Sequence, residues 1–251
     1  MPKNLILPSL ALLLITACSS SGDQDASAEK TFQVTPTLGS LKSNESVPGS
    51  TDNTAMPVEF TSTEILTYQG FAGITPKFAD DTPQDQQFAI SGNAAIELDF
   101  TDAEGVLNGQ ITDLREECLN ENGLALVTKD GELDLTGKSI AEINDLYQIV
   151  NTFDGDIEIA GTALRSGQLT AQLDATLTPT QGDTSPMRIQ EAMYGFVYSS
   201  EGTPDTLKLT SAIFIDDKKD PAIFSGSMTS ENATYNHEKI NTIIIASEPA
   251  E

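Results

Sequence analysis

The chemistry this chain could do rests on few residues. His237 is the single histidine, in Tyr235-Asn-His-Glu-Lys239. As a general base it would need a serine and an aspartate beside it, and no motif marks either. A solvated position in a loop is the simpler reading. Three acid clusters, Asp80-Asp81, Asp154-Gly-Asp156-Ile-Glu158 and Asp216-Asp217, could hold a cation or act as acid–base pairs. Alternation places Asp154, Asp156 and Glu158 on one face of a strand. One strand face offers fewer oxygens than the six to eight Ca²⁺ takes, and no aromatic platform marks a sugar-cleaving pair. The two cysteines, Cys18 and Cys118, cannot build a zinc cluster or a haem attachment site. Leu114 and Leu119 flank Cys118 and predict an apolar setting for its thiol. These residues predict a non-catalytic protein without metal or cofactor.

Cys18 carries the strongest chemical signal. Lys3 opens the chain, an apolar run covers Leu5–Ile15, and Ile15-Thr16-Ala17-Cys18 follows. The run is too short to span a bilayer, which takes about 20 residues, and has the order of a secretory signal. An apolar residue, two small ones and a cysteine resemble the bacterial lipobox. The resemblance implies diacylation of the Cys18 thiol, cleavage before it and acylation of the new amine. Each buried CH₂ contributes about 0.8 kcal/mol, and stable anchoring takes more than one chain. The alternative is a plain secreted protein cut at the same small residues. Ser19 follows the cysteine where enterobacterial sorting uses aspartate for inner-membrane retention, which points to the outer membrane. The partner implied is outer-membrane lipid, through acylated Cys18.

Residues 18–58 read as a flexible tether. Ser and Thr supply 13 of the 40 residues from Ser19 to Val58, and Gly22, Pro36, Gly39, Pro48, Gly49 and Pro57 interrupt them. Such a segment buries too little apolar surface to offset its ordering entropy. As a coil it would span roughly 35 Å. A short strand at Thr31–Thr35 is the one element it could hold.

Lys plus Arg total 13 against 38 Asp plus Glu, a net charge of −25. That balance excludes ordinary nucleic-acid binding, since phosphates would meet no cationic surface. It also excludes charge-driven adhesion to anionic membranes and favours a cationic partner, or one that meets apolar loop side chains. Phe71, Phe78, Phe88 and Phe153 are candidates for such loop contacts, with core packing as the alternative.

Positions 59–251 form the domain. Apolar residues recur at every second position between Gly, Asn and Asp clusters. Ala89–Phe100 and Val106–Ile111 form one predicted hairpin around Asp102–Gly105, and Asp156–Leu164 with Gln168–Leu177 form another. Further strands are predicted at Ile65–Ile74, Tyr194–Ser199, Thr206–Ile215, Ala222–Met228 and Ile240–Ala246. Residues Ile189–Tyr198 fit strand and helix equally; the helical version starts at Ser185-Pro186 and ends at Gly195. Ser139 and Glu142 make a capping box before Ile140, Ile143, Leu146, Tyr147 and Val150, which predicts one short helix over Ile140–Val150. Asp113 with Glu116 could cap a single turn through Cys118. The fold predicted is mainly β: an antiparallel eight-stranded up-and-down barrel, because closure removes exposed edges. A sandwich is the alternative. With no Trp, few aromatics and acids inside most strands, the barrel is not expected to cross a membrane.

Gly92-Asn-Ala-Ala-Ile-Glu-Leu-Asp99-Phe100, followed by Gly105-Val-Leu-Asn-Gly109-Gln-Ile111, resembles a hairpin of the transferrin-binding-protein-B-like surface lipoproteins. Tyr194-Gly195-Phe196 with Leu207–Phe214 resembles a later hairpin of that family. The Gly-Pro and Glu-x-x-Gly-Gly elements expected after Tyr194-Gly195 are missing here. The resemblance covers residues 68–214. It implies an eight-stranded lipoprotein barrel on the outer membrane, exposed at the cell surface, with Gly92, Asp99, Phe100 and Gly109 as structural motif residues. It also implies capture of a protein or solute. Two other roles stay open: a periplasm-facing accessory lipoprotein, and a lipocalin-like carrier with a hollow interior lined by Ala94, Ala163 and Ala171.

Overall fold

The computed structural model describes residues 56–247, apart from 62, 80–81, 103–104, 129–132, 139–141, 144, 201–202, 214–222 and 225. Thirteen strands lie among the described residues: β1 Met56–Pro57, β2 Ile65–Pro76, β3 Ala89–Asp99, β4 Gly105–Leu119, β5 Tyr147–Asp154, β6 Ile157–Ala163, β7 Gln168–Pro179, β8 Met187–Ser200, β9 Thr203–Thr210, β10 Ala212–Ile213, β11 Ile223–Phe224, β12 Gly226–Ser230 and β13 His237–Ser247. All the pairings are antiparallel.

The sheet closes on itself as the predicted eight-position barrel. β2, β3 and β4 pair in sequence order, and β13 returns to pair with β2. Two wall positions are each filled by two strands end to end. β5 and β6 share the place between β4 and β7, divided at Gly155, which has a φ of 106°. β9 and β12 share the place between β8 and β13. Between them the chain leaves the wall, and β10 pairs with β11 outside the main sheet.

Closure gives the barrel two unlike ends. The connections β3–β4, β6–β7 and β8–β9 are tight and lie at one end, where the chain also enters through β1, paired with Tyr198 and Ser199. We call this the entry end. The longer connections 77–88, 120–146, 180–186 and 231–236 lie at the other, the loop end. A short helix, α1 (Glu121–Leu124), sits in the longest of these. Asn120 Oδ1 caps it by accepting from the N–H groups of Asn122 and Gly123.

Alternation drives the wall. On β7, Leu169, Ala171, Leu173, Ala175 and Leu177 are buried and the residues between them face outward. Leu98, Leu107, Ile111, Ile157, Met193, Val197, Leu209 and Ile244 fill the interior with essentially no accessible surface. A water-sized void would expose surface on the side chains that line it, so none opens against these. Ala94, Ala163 and Ala171 are buried in this same packing. Among the described residues the hollow lumen expected of a lipocalin-like carrier is therefore corrected, because these alanines are buried in one core with larger aliphatic side chains.

Three local expectations are also corrected. Tyr147–Asp154 is strand, not the second half of a helix over Ile140–Val150. Ile149, Val150 and Thr152 are β-branched, and pairing with β4 outweighs the helical spacing. Ser185-Pro186 starts no helix, because Met187–Ser200 is one long strand paired on both sides. Asp113 caps no turn either. It is the extra residue of a β-bulge in β4, with φ at 53°, and Asn93 Nδ2 donates to its carboxylate at 2.8 Å.

Candidate functional site

The hairpin residues with the family resemblance lie on β3–β4 and at its turn, and they have structural work. Gly92 faces the β4 bulge. A Cβ there would lie 2.7 Å from both Ile111 Cγ2 and the carbonyl of Thr112. Gly109 makes the same kind of room for Ile96, whose Cδ1 would be 2.6 Å away. Asp99 ends β3 and accepts hydrogen bonds from the Thr101 N–H at 2.8 Å and hydroxyl at 2.6 Å. The hydroxyl bond first, and then the amide, hold its carboxyl below the ordinary range. Phe100 turns under the barrel.

Phe100 is the stopper of the entry end. It is fully buried and stacks on Phe60 with ring centroids 4.6 Å apart. The Arg165 guanidinium lies 5.6 Å from the Phe100 ring centroid. Its Nη1 donates to the carbonyl of Phe60 at 3.4 Å, and Nη2 to those of Phe100 at 3.2 Å and Asp102 at 3.4 Å. One side chain thus ties the incoming segment to two turns.

The loop end is closed by aromatic rings around a buried acid. Tyr235 packs edge-on against Phe88 and Phe153, and His237 against Phe78 and Phe88. Phe78, Phe88 and Phe153 therefore belong to packing, while Phe71 is half-buried on the outer side of β2. His237 is corrected from a solvated loop residue to the first, half-buried residue of β13. Burial holds its imidazole pKa below the usual value, against the opposing bond of Nε2 with the Thr234 carbonyl at 3.0 Å. Among the described residues no serine bonds to its ring.

Beneath this cap Tyr235 Oη donates to Glu116 Oε2 at 2.5 Å, and Asn151 Nδ2 donates to Tyr235 Oη at 3.3 Å. Burial pushes the Glu116 carboxyl up, and the tyrosine bond partly opposes this. Tyr235→Phe should cost about 1–3 kcal/mol, because it strips a buried carboxyl of its donor. The loss should be larger at pH 7 than at pH 4, since the phenol stabilises the ionised form. Urea unfolding at both pH values measures it.

A second buried acid, Glu191, sits where β9 gives way to β12. The hydroxyl of Thr242 bonds to its Oε2, and the Thr242 N–H donates to Oε1 at 3.2 Å. Gly226 lies against the carboxylate, where any Cβ would collide with it. Burial raises the Glu191 pKa to about 7 despite these donors.

Cys18 lies outside the described residues, as do Asp80-Asp81, Asp216-Asp217 and the strand suggested at Thr31–Thr35. Asp154, Asp156 and Glu158 are exposed around the β5–β6 break, and no group of three metal-binding side chains occurs among the described residues. Cys118 is buried, with Gln148 Nε2 at 3.5 Å from its sulfur. The roles of Glu116, Tyr235, Arg165 and Glu191 went unseen in the sequence. Only Glu191 carried a signal there: an acid at an inward position between Ile189 and Met193.

No protein family, curated protein or solved structure matches this chain. What the geometry offers is a scaffold with two plugged ends, a packed interior and one face of long loops.

Proposed function

We propose that this chain is an outer-membrane lipoprotein, anchored through acylated Cys18 and displayed on the cell surface. It binds a protein or solute there without transforming it, in the manner of the transferrin-binding-protein-B-like lipoproteins its hairpin resembles. The observation that carries the reading is the polarity of the barrel. The segment from the tether enters at one end, and the long connections gather at the other. A packed interior leaves the loops and outer wall as the surfaces for binding. Exposed Asp85, Glu121, Asp134, Asp145, Asp183 and Glu231 belong to the loop-end connections, so the partner favoured there is cationic.

Protease treatment of intact cells tests the proposal, with lysed cells and a Cys18→Ala variant as controls. Cleavage on intact cells, lost from the cell fraction in the Cys18→Ala variant, is the expected result. Protection until lysis would overturn surface display and leave the periplasmic accessory role.

A further inference from the structure

One stretch of the outer wall carries no charge. Val106, Thr162, Thr170 and Tyr194 lie in register across β4, β6, β7 and β8, and Asn108, Ala160, Gln172 and Ala192 form the row beside them. Strand alternation turns all eight outward. Acids return at the borders, with Glu97 and Asp99 on β3 and Glu158 and Asp174 in the next row. In a chain with 38 acidic residues such a patch is the exception. A shallow cavity of about 100 Å³ opens here over β6, β7 and β8. Ala160, Gly161 and Ala192 bring only methyl groups and backbone to it, so a ligand can come close to the wall. Gln172 brings an amide, which both donates and accepts. The hydroxyl oxygens of Thr162 and Thr170 are 2.8 Å apart. One hydroxyl hydrogen joins them, leaving the other for a ligand. Tyr194 borders the cavity with its side chain half exposed, the aromatic one among the exposed large apolar side chains of the described residues.

We propose that this patch binds one pyranose unit of a neutral oligosaccharide. The chemistry of the cavity selects that class. Its side-chain polar groups are hydroxyls and an amide, which match the hydroxyls of a sugar and give an ion nothing of opposite charge. The bordering acids and the net charge of −25 repel anions. Cations meet more carboxylates at the loop end, where Asp85, Glu121, Asp134, Asp145, Asp183 and Glu231 are exposed. The C–H face of a pyranose is apolar and can lie against an aromatic ring, which Tyr194 supplies. Pockets that enclose a whole small molecule measure about 300–1,000 Å³. A cavity of about 100 Å³ on an open wall instead takes one ring and lets the rest of a chain run on across the barrel. The proposal gives the bound solute a class. It rests on the binding reading above, and on neither the lipid anchor nor surface display.

Titration of the purified full chain in a sugar-free detergent tests it, read by saturation-transfer NMR and calorimetry. The probes are hexasaccharides of glucose, mannose and galactose, with a hexagalacturonate as the anionic comparison. At least one neutral probe should bind with a millimolar or tighter Kd that added salt does not change. Tyr194→Ala should weaken binding about tenfold or more, because the ring is lost. Ala160→Leu should do the same by filling the cavity while leaving every polar group in place. Both positions face solvent, so the barrel should keep its thermal unfolding midpoint; should one variant unfold, the other decides. Phe71→Ala, outward on β2 and away from the patch, should bind as the unaltered chain does. Binding of none of the three neutral probes, equal affinity for hexagalacturonate, loss of binding in salt, or unchanged binding in a folded Tyr194→Ala or Ala160→Leu would each overturn the proposal. Such a failure leaves the protease result on intact cells as it stands, and protection in that test leaves this titration unaffected.

Discussion

Phe100→Ala is expected to destabilise the barrel by about 3–5 kcal/mol, the range for removing a buried aromatic ring. The ring has no accessible surface, and three things depend on it. Phe60 would lose its stacking partner. The Arg165 guanidinium would lose the ring beneath it while still bound to the carbonyls of Phe60, Phe100 and Asp102. The entry end would open onto Leu98 and Leu107, which line the interior on the adjoining strands. The cavity cannot collapse easily, because the wall strands around it are held in closed register. Urea unfolding should show the loss as a lower midpoint with an unchanged slope. Phe196→Ala is the control: that ring is half-buried on the outer wall, and its loss should cost far less. Equal effects at the two positions would show that Phe100 is no stopper.

Much of this fold was legible before any coordinates. The period-2 runs from Ala89 to Phe100 and from Gln168 to Leu177 correspond to strands whose inward faces are buried, because a closed sheet with one packed face enforces strict alternation. What the pattern could not carry was any departure from alternation. Continuing the Leu107–Gly109–Ile111 phase along β4 would place Asp113, Arg115 and Glu117 inside. The bulge at Asp113 shifts the phase, so Leu114 and Glu116 point inward, and a second irregularity between Glu116 and Glu117 leaves Glu117 buried too, accepting from Ser91 Oγ at 3.0 Å. A bulge is set by how two strands pair, and no single strand announces it. The buried acids were hidden for the same reason. Glu116 is tolerable inside only because Tyr235, 119 residues later, brings a hydroxyl to it, and Glu191 only because Thr242 does. Helical spacing over Ile140–Val150 misled because its later residues also suit a strand, and β4 was there to pair with them.

Gly195→Ala should be the most damaging single methyl this wall can receive, at more than about 4 kcal/mol. Gly195 is on β8 between the buried Met193 and Val197, so its added Cβ would point inward. There it would overlap the carbonyl oxygen of Lys208 and lie 2.8 Å from that carbonyl carbon and 2.9 Å from Leu209 Cα. All three are backbone atoms of the neighbouring strand. No rotamer change relieves the clash; β8 and β9 must move apart. Such close approach is what lets a sheet coil tightly enough to close with eight positions, and Gly161 meets the carbonyl of Thr170 on β7 in the same way. Gly182→Ala gives the comparison. Gly182 has a φ of 73° with nothing within 4 Å of an added Cβ, so only backbone strain of about 1–2 kcal/mol is expected. If Gly195→Ala cost no more than Gly182→Ala, backbone contact at β8–β9 would not be what limits closure of the barrel.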